Sequence, residues 1–146
     1  MSWETLLVGH VYVKRRASNA DINKLMKVIG DVFETKAEDV KYDSEFNSIE
    51  IQSINWTSHV DEGKCELFTK YALKLDFVEK VDLSLYYLTE SNFSIYVDKK
   101  EENCYIYDSF EVSEKELHAI EDDEQVRNAF AEKFPEIIEV KNRTTT

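Results

Sequence analysis

Between Val78 and Asp98 the apolar residues recur at every second position, and this alternation constrains the fold more than any other feature of the chain. Val81, Leu83, Leu85 and Tyr87 fall in one phase, with Asp82, Ser84 and Tyr86 in the other; "NFSIYVD" repeats the pattern with Phe93, Ile95 and Val97 inward. Period-two alternation marks strands with one buried and one wetter face. "KKEEN" then turns the chain and "CYIYDSF" returns it, so three successive antiparallel strands are expected. Such a sheet needs a layer to bury its apolar face.

The flanking sequence supplies that layer. "TLLVGHVYVK" (Thr5 to Lys14) reads as a first strand, with Leu7, Val11 and Val13 in one phase and Leu6, Val8, His10 and Tyr12 in the other, both faces being partly covered. Ser18-x-x-Asp21 is a variant capping box, and Ile22, Leu25, Met26, Ile29, Val32 and Phe33 follow at helical spacing. Glu38 to Phe46 is an acidic, aromatic connector. "NSIEIQSINW" places Ile49 and Ile51 inward and then shifts phase to Ile54 and Trp56, which predicts a bulge near Gln52 and Ser53. Cys65, Phe68, Ala72 and Leu75 form the stripe of a second helix. Ser113-x-x-Glu116 opens a last helix with Leu117 and Ile120, and Val126, Phe130 and Phe134 continue its period until Pro135.

The order β-α-β-α-β-β-β-α, without a glycine-rich loop after any strand, predicts one α+β domain over residues 1–146. Its expected architecture is an antiparallel or mixed sheet covered by helices, with a ferredoxin-like core and extra C-terminal strands and helix. The run "SIEIQSINW", a helix, a strand ending "YYLTES" and its partner "NFSIYVD" resembles the small YubB-type ferredoxin-like proteins of phages and plasmids. The resemblance spans roughly residues 49 to 98 and lacks that family's usual tryptophan-glycine signature. It implies a fold and transfers no functional residue.

The reactive residues form no recognisable catalytic set. His10, His59 and His118 show no paired metal spacing, and no HExxH or HxH occurs. Cys65 and Cys104 lie far apart without a CxxC, so free buried thiols are expected; the acidic surroundings of Cys104 disfavour a thiolate. There is no Gly-x-Ser-x-Gly elbow, and Gly9, Gly30 and Gly63 stand too far apart for a P-loop or a dinucleotide fingerprint. Paired carboxylates are abundant, but among thirty acids their proximity has little specificity. The expectation is a non-enzymatic protein without a cofactor or metal.

Charge is more informative. The net charge of −12 opposes direct binding to a phosphate backbone, which relies on Lys and Arg displacing counterions. Residues 98 to 139 hold fourteen acids against five bases, whereas Lys14-Arg15-Arg16, the one basic cluster, reads as a solvated turn. No apolar run is long enough to span a bilayer. "MSWETLLVGHVYVKRR" carries its charge after the apolar stretch, unlike a signal peptide, so a cytoplasmic location is expected and the three Asn-x-Ser/Thr triplets are read as coincidental.

The densest acidity is Glu121-Asp122-Asp123-Glu124. Consecutive residues cannot share one helix face, and their repulsion favours a break, where Asp122 or Asp123 caps a new helix and Gln125 stands in a capping-box position to Asp122. That accounts for two of the four carboxylates. The others are expected to merge with Asp108, Glu111, Glu114 and nearby acids into one negative surface beside Tyr86, Tyr96, Tyr105 and Tyr107 of the three late strands. Tyrosines supply contact area at low entropic cost while charge steers a basic partner. The expected partner is therefore a basic protein such as a CRISPR effector or nuclease, blocked at its nucleic-acid site by an anti-defence inhibitor of the anti-CRISPR type. An immunity protein against a toxin nuclease, or a small enzyme with an unrecognised carboxylate site, are the alternatives.

Overall fold

In the computed structural model, residues 4–56, 60, 62–87, 93–98, 104–107, 110–113 and 124–137 are described. The elements are β1 (Glu4–Val13), α1 (Asn19–Phe33), a 3-10 turn (Ala37–Asp39), β2 (Val40–Asp43), β3 (Ser48–Trp56), α2 (Glu62–Ala72), β4 (Val78–Tyr87), β5 (Phe93–Asp98), β6 (Cys104–Tyr107), β7 (Phe110–Ser113) and α3 (Glu124–Lys133). The class is α+β. Strands β2-β3-β1-β4-β5 form one sheet in that order, and every described pairing is antiparallel. The crossover from β1 through α1 to β2 leaves room for β3 between them, and that from β3 through α2 to β4 straddles β1. This interleaving is compatible with a ferredoxin-like core.

Two expectations about strands change. The connector after α1 contains β2, which pairs with β3 from Val40↔Ile51 to Asp43↔Ser48. Its turn is closed by Asn47, at φ 50°, whose side chain accepts a hydrogen bond from the Tyr42 hydroxyl at 3.3 Å. Asn tolerates that left-handed conformation. "CYIYDSF" is not a third strand of the main sheet: β6 pairs antiparallel with β7 in a second, two-stranded sheet, from Cys104↔Ser113 to Tyr107↔Phe110. Ser113 thus ends a strand, and the helix expected from Ser113 through Ile120 lies outside the described residues.

The predicted bulge at Gln52 and Ser53 is absent. The β1–β3 register runs unbroken from Glu4↔Trp56 to Tyr12↔Ser48, and the irregularity falls instead between Tyr12 and Val13 against β4. The inward phase of β3 is therefore Ile49, Ile51, Ser53 and Asn55. Its polar end is explained by what it meets: the Asn55 amide donates to the carbonyls of Phe33 at 2.8 Å and Glu34 at 3.4 Å, at the C-terminus of α1. Ile54 and Trp56 consequently point outward.

The core lies between the sheet and the helices. Leu7, Val11, Ile49, Ile51, Val81, Leu83 and Leu85 are buried with Ile22, Leu25, Val28, Ile29, Val32 and Phe33 of α1. Ser18 caps α1 as expected, accepting from the Asp21 amide at 3.0 Å. α2 is buried from Lys64 through Thr69 and again at Tyr71 and Ala72, so the expected stripe is only part of a helix covered on all sides. Rings from the three described α-helices connect: Phe33 and Phe68 lie 5.2 Å apart, Phe68 and Phe130 5.8 Å, Tyr71 and Phe130 5.3 Å. Each such buried aromatic contributes on the order of 2 kcal/mol or more. α3 ends at Lys133, just before Phe134 and Pro135, because the residue preceding a proline avoids helical geometry.

Gly9 permits the central strand to pack. A Cβ built there would collide with the Asp82 carbonyl and the Leu83 side chain, and a backbone oxygen held in a ladder cannot yield.

Candidate functional site

The helical layer and the opposite face of the sheet present different chemistry. On the helical side, the last carbonyls of α1 have no partner within their own helix, and other elements satisfy them. The Gln125 amide nitrogen donates to the Asp31 carbonyl, and Lys64 donates to the Val32 carbonyl at 3.3 Å and to Gln125 Oε1 at 2.5 Å. With Asn55, three elements thus converge on one helix end, where the Lys64 ammonium also faces the negative pole of the helix. Gln125, expected to serve a capping box, turns inward to this network. Glu34 ends the helix in the left-handed region at φ 51°.

Beside this network an open groove of about 610 Å³ is lined by Asp31, Glu124, Gln125, Asn128, Ala129 and Glu132. Glu124 is exposed and is the first residue of α3, consistent with a helix that starts within or after the acidic run. Glu121, Asp122, Asp123, Asp108 and Glu114 lie outside the described residues. Glu111 is in β7, opposite Ile106.

The opposite face of the sheet has no described helix on it. Across β3, β1 and β4 the register aligns Ile54, Leu6 and Tyr86 in one row, with Trp56 opposite Glu4 in the next. Ile54 is 68%, Trp56 51% and Tyr86 40% exposed. Toward the other end the face becomes polar. His10 stacks on Tyr12 at 5.6 Å, the Lys80 ammonium sits 4.5 Å from the Tyr12 ring centre, and His10 Nε2 lies 3.9 Å from Glu50. A hollow of about 420 Å³ there is lined by Val8, His10, Lys41, Glu50 and Gln52, with Glu38 and Asp39 among its other walls. Lys14-Arg15-Arg16 is a turn, closed by the Ala17 amide on the Lys14 carbonyl at 3.0 Å.

The residues singled out from sequence are therefore distributed. Tyr86 is on the open face, and Tyr96 stands opposite Asp82 in the same sheet. Tyr105 and Tyr107 belong to the β6–β7 hairpin, so the four tyrosines do not come from one three-stranded sheet. Glu124 and Tyr86 lie on opposite sides of the sheet, and these two do not form one surface. Sequence reading missed Leu6, Ile54 and Trp56. The available signal was the phase set by Ile49 and Ile51: kept without a break, it sends Ile54 and Trp56 outward. Lys64 and Glu66, both buried in α2, carried no such signal.

Among the described residues no group of three or more His, Cys, Asp or Glu is arranged to hold a metal, Cys65 is a free buried thiol, and no helix is long and apolar enough to cross a membrane. No family model, curated protein or solved structure matches the chain significantly. The YubB-type resemblance stands on sequence pattern alone.

Proposed function

We propose that this protein is a non-enzymatic inhibitor of the anti-defence, anti-CRISPR type that occupies the nucleic-acid site of a basic effector or nuclease. The observation that carries this reading is the net charge of −12, concentrated in the C-terminal third. It is supported by the groove in which Asp31, Glu124 and Glu132 gather at the end of that acidic segment. A basic channel built for phosphates attracts any surface that presents carboxylates, and long-range attraction raises the rate of encounter. The acids then compete with the nucleic acid for the same Lys and Arg side chains.

The test is charge reversal of Glu121, Asp122, Asp123 and Glu124 to Lys, assayed against a panel of CRISPR effectors and nucleases for inhibition of cleavage and for affinity at low and high salt. Loss of inhibition, with affinity that no longer falls steeply as salt rises, is expected. An unchanged affinity and salt dependence for a partner that the wild type inhibits would remove the acidic run from the mechanism.

A further inference from the structure

The open sheet face carries exposed apolar side chains with no described helix over them. Ile54, Leu6 and Tyr86 are nearest neighbours across three adjacent strands, where opposed side chains are about 5 Å apart. Trp56 follows Ile54 on the same face of β3, about 7 Å along the strand. Ile54, Trp56 and Tyr86 are each 40% exposed or more, while the inward positions of the same strand end are the polar Ser53 and Asn55. Contiguous exposed apolar surface of this kind marks a contact site more often than a structural one.

We propose that this patch, Leu6, Ile54, Trp56 and Tyr86, anchors an apolar segment flanked by Lys or Arg on the partner protein; the proposal rests on the reading of that partner as basic. Charge selects this occupant over a second copy of the chain, because two bodies of net charge −12 repel. The patch is bordered by Glu4, opposite Trp56, with Asp82 and Glu50 further along the same face. Lys80, one of the cations on that face, sits over the Tyr12 ring. The Trp56 and Tyr86 rings present both apolar area and electron-rich faces to an incoming cation. Docking therefore joins burial at the row Ile54–Leu6–Tyr86 to ion pairing at its border.

The experiment titrates three synthetic peptides into the full-length 15N-labelled protein: an amphipathic Leu/Lys peptide, a Ser/Lys peptide of equal charge and a Leu/Glu peptide of equal apolar content. The expected result is that the Leu/Lys peptide shifts amides at Leu6, Ile54 and Tyr86 and the Trp56 indole. The double variant Ile54→Glu, Tyr86→Ser, with circular dichroism unchanged, weakens its binding at least tenfold. If the Ser/Lys peptide binds as tightly, with shifts confined to the α3 groove, the sheet-face site falls while the charge-based reading stands. If the Leu/Glu peptide binds the face as well as Leu/Lys, the basic partner is overturned. Dimerisation in sedimentation that Ile54→Glu abolishes would also overturn the proposal, assigning the face to a second copy.

Discussion

The two sides of the sheet solve opposite problems. On the helical side, apolar groups are covered and the exposed carbonyls at the end of α1 are met by Lys64, Gln125 and Asn55. On the open side, isoleucine and tryptophan face water while polar residues occupy the corresponding inward positions. A chain selected only for stability would not pair these two choices on one strand, since burial of Ile54 would add stability and its exposure adds none. The described core lies on the helical side, and the open side leaves Ile54, Trp56 and Tyr86 exposed.

The aromatic cluster is the keystone of the helical side. Phe130 meets Phe68, Tyr71 and Phe134, so Phe130→Ala is expected to cost about 3–5 kcal/mol in urea unfolding. A loss below about 1 kcal/mol would mean that α3 contributes little to the core. Next is the shared cap: Lys64→Met removes the ammonium that donates to the Val32 carbonyl and to Gln125 Oε1 and is expected to lower stability by about 1–3 kcal/mol. A double-mutant cycle with Gln125→Leu, followed by thermal denaturation, should give a clearly non-additive result because both side chains serve one network. The smallest effect belongs to the open face, where Ile54→Ser is expected to change stability by no more than about 0.5 kcal/mol in the same urea assay. A loss several times larger would show that the residue is structurally occupied and would dissolve the contrast between the two faces.

Much of the fold was legible because it rests on local periodicity. The helical spacing from Ile22 to Phe33, the Ser18 cap, the alternation in β4 and the stop before Pro135 each follow from rules that act within a few residues. The site was less legible. Reading Ile54 and Trp56 as inward assumed that apolar residues mark the buried phase, and that assumption fails where a polar residue is buried for its hydrogen bonds. β2 was hidden because four residues, "VKYD", contain too little alternation to stand out from a connector. The separate β6–β7 hairpin was hidden because strand composition does not specify a strand's partner.

Local pattern in the chain was enough for α1, α2, β1, β3, β4 and β5, for the α+β class, and for an acidity that opposes binding to a phosphate backbone. Only the tertiary structure decided which phase of β3 faces the core, because the deciding interaction joins Asn55 to carbonyls more than twenty positions earlier in the chain. It also decided that Lys64 and Gln125, 61 positions apart, meet in one cap. Hydrogen bonds between distant elements leave no period in the sequence, and here one reaches the partly buried Phe33 carbonyl, whose loss of a partner costs more than leaving an isoleucine exposed.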